Sequence, residues 1–292
     1  DENGKYGESP AMIAGALARF IEQGWINIVG GCCGTTPEYI REIARAAKAG
    51  KPRRAAAALR THIAGIDYVE CEESARPLIV GERTNEVGSR KFKRLIEEEK
   101  FEEAAEIGRA QVKFGAQLID INLQNADRDE AKDIERFYEK IIRMVKVPFV
   151  IDSTDPAAVE KALTYCQGKA IINSINYEDG PEKLDRVVPL ARKYGAALIF
   201  GCIDEDKIQA QAITTARKLA IAERAHADLT KNYGFPEQDI IWDPLVFPCG
   251  TGDKNYIGSA GETIRAVAAL RERFPRTRTI LGISNVSFGL PE

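Results

Sequence analysis

Six side chains able to grip a polar ligand recur at one kind of place in this chain. Glu82, Asn122, Asp152, Asn173, Asp243 and Asn285 each stand at or next to the end of an apolar run. The clearest run is Val147-Pro-Phe-Val-Ile151, which stops abruptly at Asp152-Ser153. An aspartate accepts paired N–H bonds and an asparagine both donates and accepts, so the set suits a neutral heterocycle with a donor-rich edge. It does not suit a phosphate group, which calls for basic side chains or a helix N-terminus. A hard cation such as magnesium is the other ligand that such oxygens take. Any one of these residues is equally an ordinary turn residue or helix N-cap; the six together point to a ligand.

These positions need a scaffold that brings strand ends to one place. The runs Leu78–Gly81, Leu118–Ile121, Val147–Ile151, Ala170–Ile172, Leu198–Phe200, Ile240–Trp242 and Ile280–Ile283 read as strands buried on both faces. Amphipathic segments lie between them: Phe101–Phe114, Asp129–Val145, Asp155–Cys166, Gly180–Tyr194, Ile208–Tyr233 and Gly261–Phe274. Strand–helix alternation implies right-handed βαβ units and a parallel sheet. The expected fold is α/β, a (β/α)8 TIM barrel over 77–292 whose eighth unit would lie beyond Glu292. An open doubly wound sheet is the alternative, but no Gly-x-Gly-x-x-Gly or Walker A sequence follows an early strand. Both ends read as cut, since the chain opens on Asp1-Glu-Asn-Gly4 and closes just past a strand.

Before the barrel, Ser9-Pro10 caps a helix, Trp25–Val29 reads as a short strand, and Thr36-Pro37 opens a helix to about Ala49. Residues 1–50 are thus an expected αβα remnant of a second barrel, and 51–76 a linker with a short hairpin. Between those helices lies Gly30-Gly-Cys-Cys-Gly34, where Cys32 and Cys33 are adjacent thiols flanked by glycines. Two such thiolates can share one zinc ion with a third ligand from elsewhere; the plainer account is a pair of structural thiols. Cys166, Cys202, Cys249 and His226 read as structural, Arg90–Arg94 as a solvated helix face, and Gly250–Lys254 as a long turn or a lid.

Bulk composition narrows the function classes. The net charge is −3, so there is no broad basic field for nucleic acid. Two histidines leave little room for a Ser-His-Asp hydrolase or a histidine-rich metal site. No run is long enough to span a bilayer, and six cysteines in 292 residues do not make a disulfide scaffold, so a reducing cytoplasm is the expected location.

The motif Gly30-Gly-Cys-Cys-Gly-Thr-Thr-Pro37, followed by Val80-Gly-Glu-Arg-Thr-Asn85, resembles the cobalamin-dependent methionine synthase family. Asp120-Ile-Asn122, Ile151-Asp-Ser153, Ile172-Asn-Ser174, Trp242-Asp-Pro244 and Ile283-Ser-Asn-Val-Ser287 extend the likeness over nearly the whole chain, while Asn122–Asp127 departs from some members. The resemblance implies a barrel that binds 5-methyltetrahydrofolate and passes its N5-methyl group to cob(I)alamin, carried by a domain outside this segment. It implies that Asp152, Asn173 and Asp243 hold the pterin's donor-rich edge, with Glu82 and Asn122 in the same pocket, and that Asn285 stabilises protonated N5 by a hydrogen bond. It also implies zinc on Cys32 and Cys33, serving homocysteine in a barrel largely absent here. Corrinoid methyltransferases of acetogenic metabolism and dihydropteroate synthases resemble the same barrel, and a folate-binding module without turnover is the non-enzymatic alternative.

Overall fold

A computed structural model describes residues 7–54, 60–72, 74 and 77–290. The chain divides into two compact units, Asp1–Ala58 and Leu59–Glu292.

The first unit is a pair of helices. In α1 (Pro10–Glu22) Ser9 supplies the N-cap, its hydroxyl accepting from the Met12 N–H, and proline sits at the start where it gives up no needed donor. α2 (Pro37–Ala49) opens the same way after Thr36, although that side chain makes no capping bond. The strand expected at Trp25–Val29 does not form. A lone strand leaves its backbone groups unpaired, and among the described residues this unit has no second strand beside it. Ile28 is 91% exposed there. Instead, Asn27 fastens the segment by bonding both the N–H and the carbonyl of Arg53.

The second unit opens with the hairpin expected within 51–76, formed by β1 (His62–Ala64) and β2 (Tyr68–Glu70). Seven parallel strands follow in sequential order: β3 (Val80–Asn85), β4 (Leu118–Asn122), β5 (Phe149–Asp152), β6 (Ile171–Ile175), β7 (Ala197–Gly201), β8 (Ile240–Asp243) and β9 (Arg278–Thr279). The sheet curls as a TIM-type barrel does, and its two edges approach. Ser284, just after β9, donates to Glu82 of β3 at 3.4 Å, while Arg278 of β9 donates to the Cys71 carbonyl, just after hairpin strand β2, at 3.2 Å. The helices α3 (Arg90–Glu97), α4 (Phe101–Lys113), α5 (Glu130–Ile141), α6 (Pro156–Leu163), α7 (Glu182–Tyr194), α8 (Thr215–Ala227) and α9 (Ser259–Arg273) complete the βα units.

Strand alternation sorts the core into two layers. Ile119, Ile121, Phe149, Ile151, Ile172, Leu198, Ile240 and Trp242 pack outward with the helices. Leu118, Val150, Ile171, Ala197, Ile199 and Ile241 meet inside the curl. The residues two further along each strand, Asp120 and Asn122, Asp152, Asn173 and Asp243, therefore point inward as well.

Two expectations move. The helix expected from Ile208 begins at Thr215, because Thr214 caps it and the Asp204–Arg217 ion pair holds the preceding loop. A helical segment then continues to Asn232 as a π turn. The strand expected at Ile280–Ile283 lies earlier, at Arg278–Thr279, paired with Ile241 and Trp242. Ile280 donates one more bond to Trp242, after which β8 offers no further partner and the chain turns into a short 3-10 helix, Ile283–Ser287.

The β1–β2 hairpin stoppers the N-terminal end of the curl. Ile63 joins the inner apolar layer. Backbone bonds run from Ala64 to the Lys169 carbonyl and from Asp67 to the Lys146 carbonyl, both 3.0 Å, and Thr61 reaches the Gln238 carbonyl at 2.6 Å. The fit leaves no room at Gly65, where a Cβ would lie 2.2 Å from the Lys146 carbonyl oxygen and 2.5 Å from that of Val147. Both obstacles are backbone and cannot rotate away. Gly65→Ala is therefore expected to lower unfolding stability by about 1–3 kcal/mol in urea titrations; a loss below about 0.5 kcal/mol would show that the stopper is not held tightly.

Candidate functional site

The strand register sets inward residues at one level. Asn85 pairs with Asn122, Asp152 with Asn173, and Gly201 with Asp243 across the parallel ladder. Asp120 pairs with Val150, one step deeper. The C-terminal mouth of the curl thus carries a ring of amides and carboxylates above an apolar floor.

Asn85 is the hub of that ring. Its Oδ1 accepts from the N–H groups of Val87 and Gly88, both at 2.9 Å, which turns Nδ2 toward the carboxylates. Nδ2 then donates to Asp120 Oδ2 at 2.9 Å and to Asp152 Oδ2 at 3.1 Å. Asn122 works the same way: its Oδ1 accepts from the Gln124 N–H, and its Nδ2 donates to Asp152 Oδ2 at 3.1 Å. Both amides are locked as donors by the backbone, leaving the acids as the groups that can face a ligand.

The acids are held out of their ordinary range. Burial pushes Asp120 up to about 7, the neighbouring charge of Asp152 adds to this, and the amides of Asn85 and Asn173 pull the other way. Burial also raises Asp152, against the bonds from Asn122 and Asn85. Asp243 is raised to about 6 by burial, with the Leu245 N–H and the charge of Lys218 holding it down. Its Oδ1 accepts from Leu245 N–H at 2.9 Å.

Four of the expected site residues, Asn122, Asp152, Asn173 and Asp243, stand in this ring. Glu82 is exposed at its rim, bonded to Ser284 and adding negative charge toward Asp120 and Asp152. Asn285 is also exposed; it lies on the 3-10 helix at the same mouth and makes no bond to the acids among the described residues. Asn85, Asp120 and Lys218 were not among the expected site residues. Asp120 carried a usable signal: a carboxylate inside an apolar strand, two residues from Asn122 and so on the same face. Lys218 had none, since a lysine on an amphipathic helix ordinarily faces water.

Cys32 and Cys33 are exposed in the other unit with sulfurs 3.6 Å apart. Two thiolates on one tetrahedral zinc lie about 3.8 Å apart, from Zn–S bonds near 2.3 Å, so the pair fits one metal ion. No group of three or more potential ligands occurs among the described residues.

Residues 81–291, most of the chain, match the family of pterin binding enzymes. The chain belongs to that family. Residues 1–47 match a second family, homocysteine S-methyltransferase. The fold is similar to that of a Yersinia pestis DHPS with a pterine–sulfa conjugate, at TM-score 0.51 and 17% identity over 78% of this chain and 79% of that one. A Yersinia pestis dihydropteroate synthase with a sulfonamide drug complex aligns with TM-score 0.51 and 16% identity over 79% and 82%. No helix of the described residues is long and apolar enough to cross a membrane.

A ring of buried acids is expected to cost stability. A carboxyl raised above its unfolded value is more protonated when folded, so its penalty grows as pH rises from about 4 to about 7 and is fully present above that. Asp120→Asn keeps an acceptor for Asn85 and removes the charge. The variant should exceed wild type in stability by on the order of 2 kcal/mol at pH 8 and by close to nothing at pH 4, in urea titrations. A pH-independent difference would place the raised acid elsewhere.

Proposed function

We propose that this barrel binds 5-methyltetrahydrofolate and transfers its N5-methyl group to cob(I)alamin, as the folate-handling segment of a cobalamin-dependent methionine synthase. The observation that carries this is the ring of inward carboxylates whose neighbouring amides are fixed as donors. Such a ring offers acceptors to the N–H groups of a pterin. The match of residues 1–47 to homocysteine S-methyltransferase supports methyl transfer over other pterin chemistry.

In this reading Asp152, Asn173 and Asp243 bind the donor-rich edge, and Asn122 completes the pocket with Glu82 at its rim. Asn285, at the same mouth, hydrogen-bonds the N5 region. A bound corrinoid would supply the acceptor for the methyl group, and N5 would need a proton from solvent as its bond to the methyl carbon breaks. An asparagine cannot supply that proton, so Asn285 stabilises the protonated amine and is not the general acid. Zinc on Cys32 and Cys33, with a third ligand outside this sequence, would lower the thiol pKa of homocysteine; this chain's part is to present the two sulfurs. Thiolate chemistry of this kind fits a reducing cytoplasm.

Asp152→Asn and Asp243→Asn should each weaken 5-methyltetrahydrofolate binding by about 10–100-fold in calorimetry, the value of one charge-assisted hydrogen bond. Unchanged affinity in both would sink the assignment of the ring to the pterin edge. With free cob(I)alamin as acceptor, the wild-type protein should form methylcobalamin; tight folate binding without turnover would favour the non-enzymatic module. Asn285→Ala should slow that transfer by about tenfold or more while changing folate affinity by less than about threefold. Equal losses in both would count against its place at N5.

A further inference from the structure

Lys218 is a fully buried lysine with no carboxylate in ion-pairing range among the described residues. It sits near the start of α8. Its ammonium donates to Thr263 Oγ1 of α9 at 2.7 Å and reaches toward the Leu245 carbonyl at 3.5 Å, with the Phe247 ring 5.4 Å away. Thr263 Oγ1 in turn donates to that same carbonyl at 2.8 Å. Leu245 has φ +62°, a left-handed conformation that a leucine adopts only when its surroundings impose it. The N–H of this strained residue is the donor to Asp243 Oδ1. Two helices thus converge on one carbonyl, and the bend they hold sets the carboxylate two residues earlier.

A buried ammonium is a costly way to fill space, and a methionine of similar volume would pack there at lower cost. We propose that Lys218 is a positioning residue for Asp243, clamping the Leu245 turn through Thr263 so that the backbone holds one oxygen of Asp243 while the other faces the barrel interior. The clamp acts through geometry and through charge. Burial lowers the lysine's own pKa, and Cys202, Asp243 and Glu262 counter this. The charged and titratable groups around the pair are Lys218 on α8, Cys202 after β7, and Glu262 on α9, itself bonded to Thr215 and Arg265. In this setting the ammonium of Lys218 favours the ionised form of Asp243.

The role of Lys218 in ligand binding rests on the folate reading above, so the test separates the two. Burial raises Asp243 to about 6, and its ionised form is the acceptor for an N–H edge. Wild-type affinity for 5-methyltetrahydrofolate should therefore fall as pH drops, and the part of that fall missing in Asp243→Asn reports Asp243 rather than the raised Asp120 and Asp152. In Lys218→Met the midpoint of this part should rise by roughly one pH unit, the effect of removing a nearby charge, while affinity at pH 8 drops by about threefold or more. A residue that only fills the core would lower stability and leave the midpoint in place, so an unmoved midpoint overturns the proposal. Thr263→Val keeps the ammonium and cuts the relay. It carries the test if the methionine variant does not fold: folate affinity at pH 8 should fall about tenfold with the midpoint unmoved, and wild-type affinity overturns the proposal. Wild-type protein that binds no 5-methyltetrahydrofolate at any pH would sink the folate reading alone. The Asp243 carboxyl midpoint, read by carbon-13 NMR on the free protein, then still decides for or against Lys218.

Discussion

The structure depends on keeping two aspartates, Asp120 and Asp152, close together inside an apolar tube. Each carboxylate loses water on burial, and each makes the other harder to ionise. What makes the arrangement tolerable is one amide, Asn85, donating to both at 2.9 and 3.1 Å. That amide comes from β3 and its acceptors from β4 and β5, so the bonds exist only when three strands are in register and curled. The curl is held in turn by the two apolar layers and by the hairpin stopper, none of which has any chemistry of its own. Stability is concentrated in those layers, and the polar ring draws on it.

Register is the second constraint. In a parallel ladder a slip of one residue would turn Asp152 outward into the helix layer and Ile151 inward. Ile119 and Ile151 packed outward, with Leu118 and Val150 packed inward, oppose such a slip at β4 and β5. The apolar pattern that folds the barrel therefore also aims the acids. The same coupling explains why Asp120 reaches about 7 while Asp243 reaches about 6. Asp120 lies a level deeper beside another acid, whereas Asp243 has a backbone donor and a buried cation behind it.

Most of this scaffold was legible in the sequence because buried parallel strands announce themselves as unbroken apolar runs ending in polar residues. The ring positions Asn122, Asp152, Asn173 and Asp243 follow from that pattern. Asn85 was not singled out because Val80–Asn85 has Glu82, Arg83 and Thr84 in its middle and looks polar from its composition. Its role comes from Oδ1 being tied to Val87 and Gly88, which only the fold reveals. Trp25–Val29 misled for the opposite reason: its composition suits a strand, but a strand also needs a neighbour. Ile280–Ile283 is similar, since β8 ends before it can pair. Composition reports what a segment tolerates, and the partner decides what it becomes.

Lys218 shows the same limit from the side of chemistry. Its neighbours Thr263 and Leu245 lie 45 and 27 residues away in the chain. Nothing at Thr215–Ala227 distinguishes it from Lys or Arg residues on solvated helix faces. Once folded, it is enclosed by α8, α9 and the loop after β8, and its ammonium bonds Thr263 and the turn that orients Asp243. The ring at the barrel mouth therefore has two kinds of support. The acids on β4 and β5 are set by amides within the sheet, and the acid on β8 is set from outside by a helix pair. A ligand spanning the mouth would touch both, so motion of α8 against α9 would alter Asp243 while leaving the Asn85 hub in place.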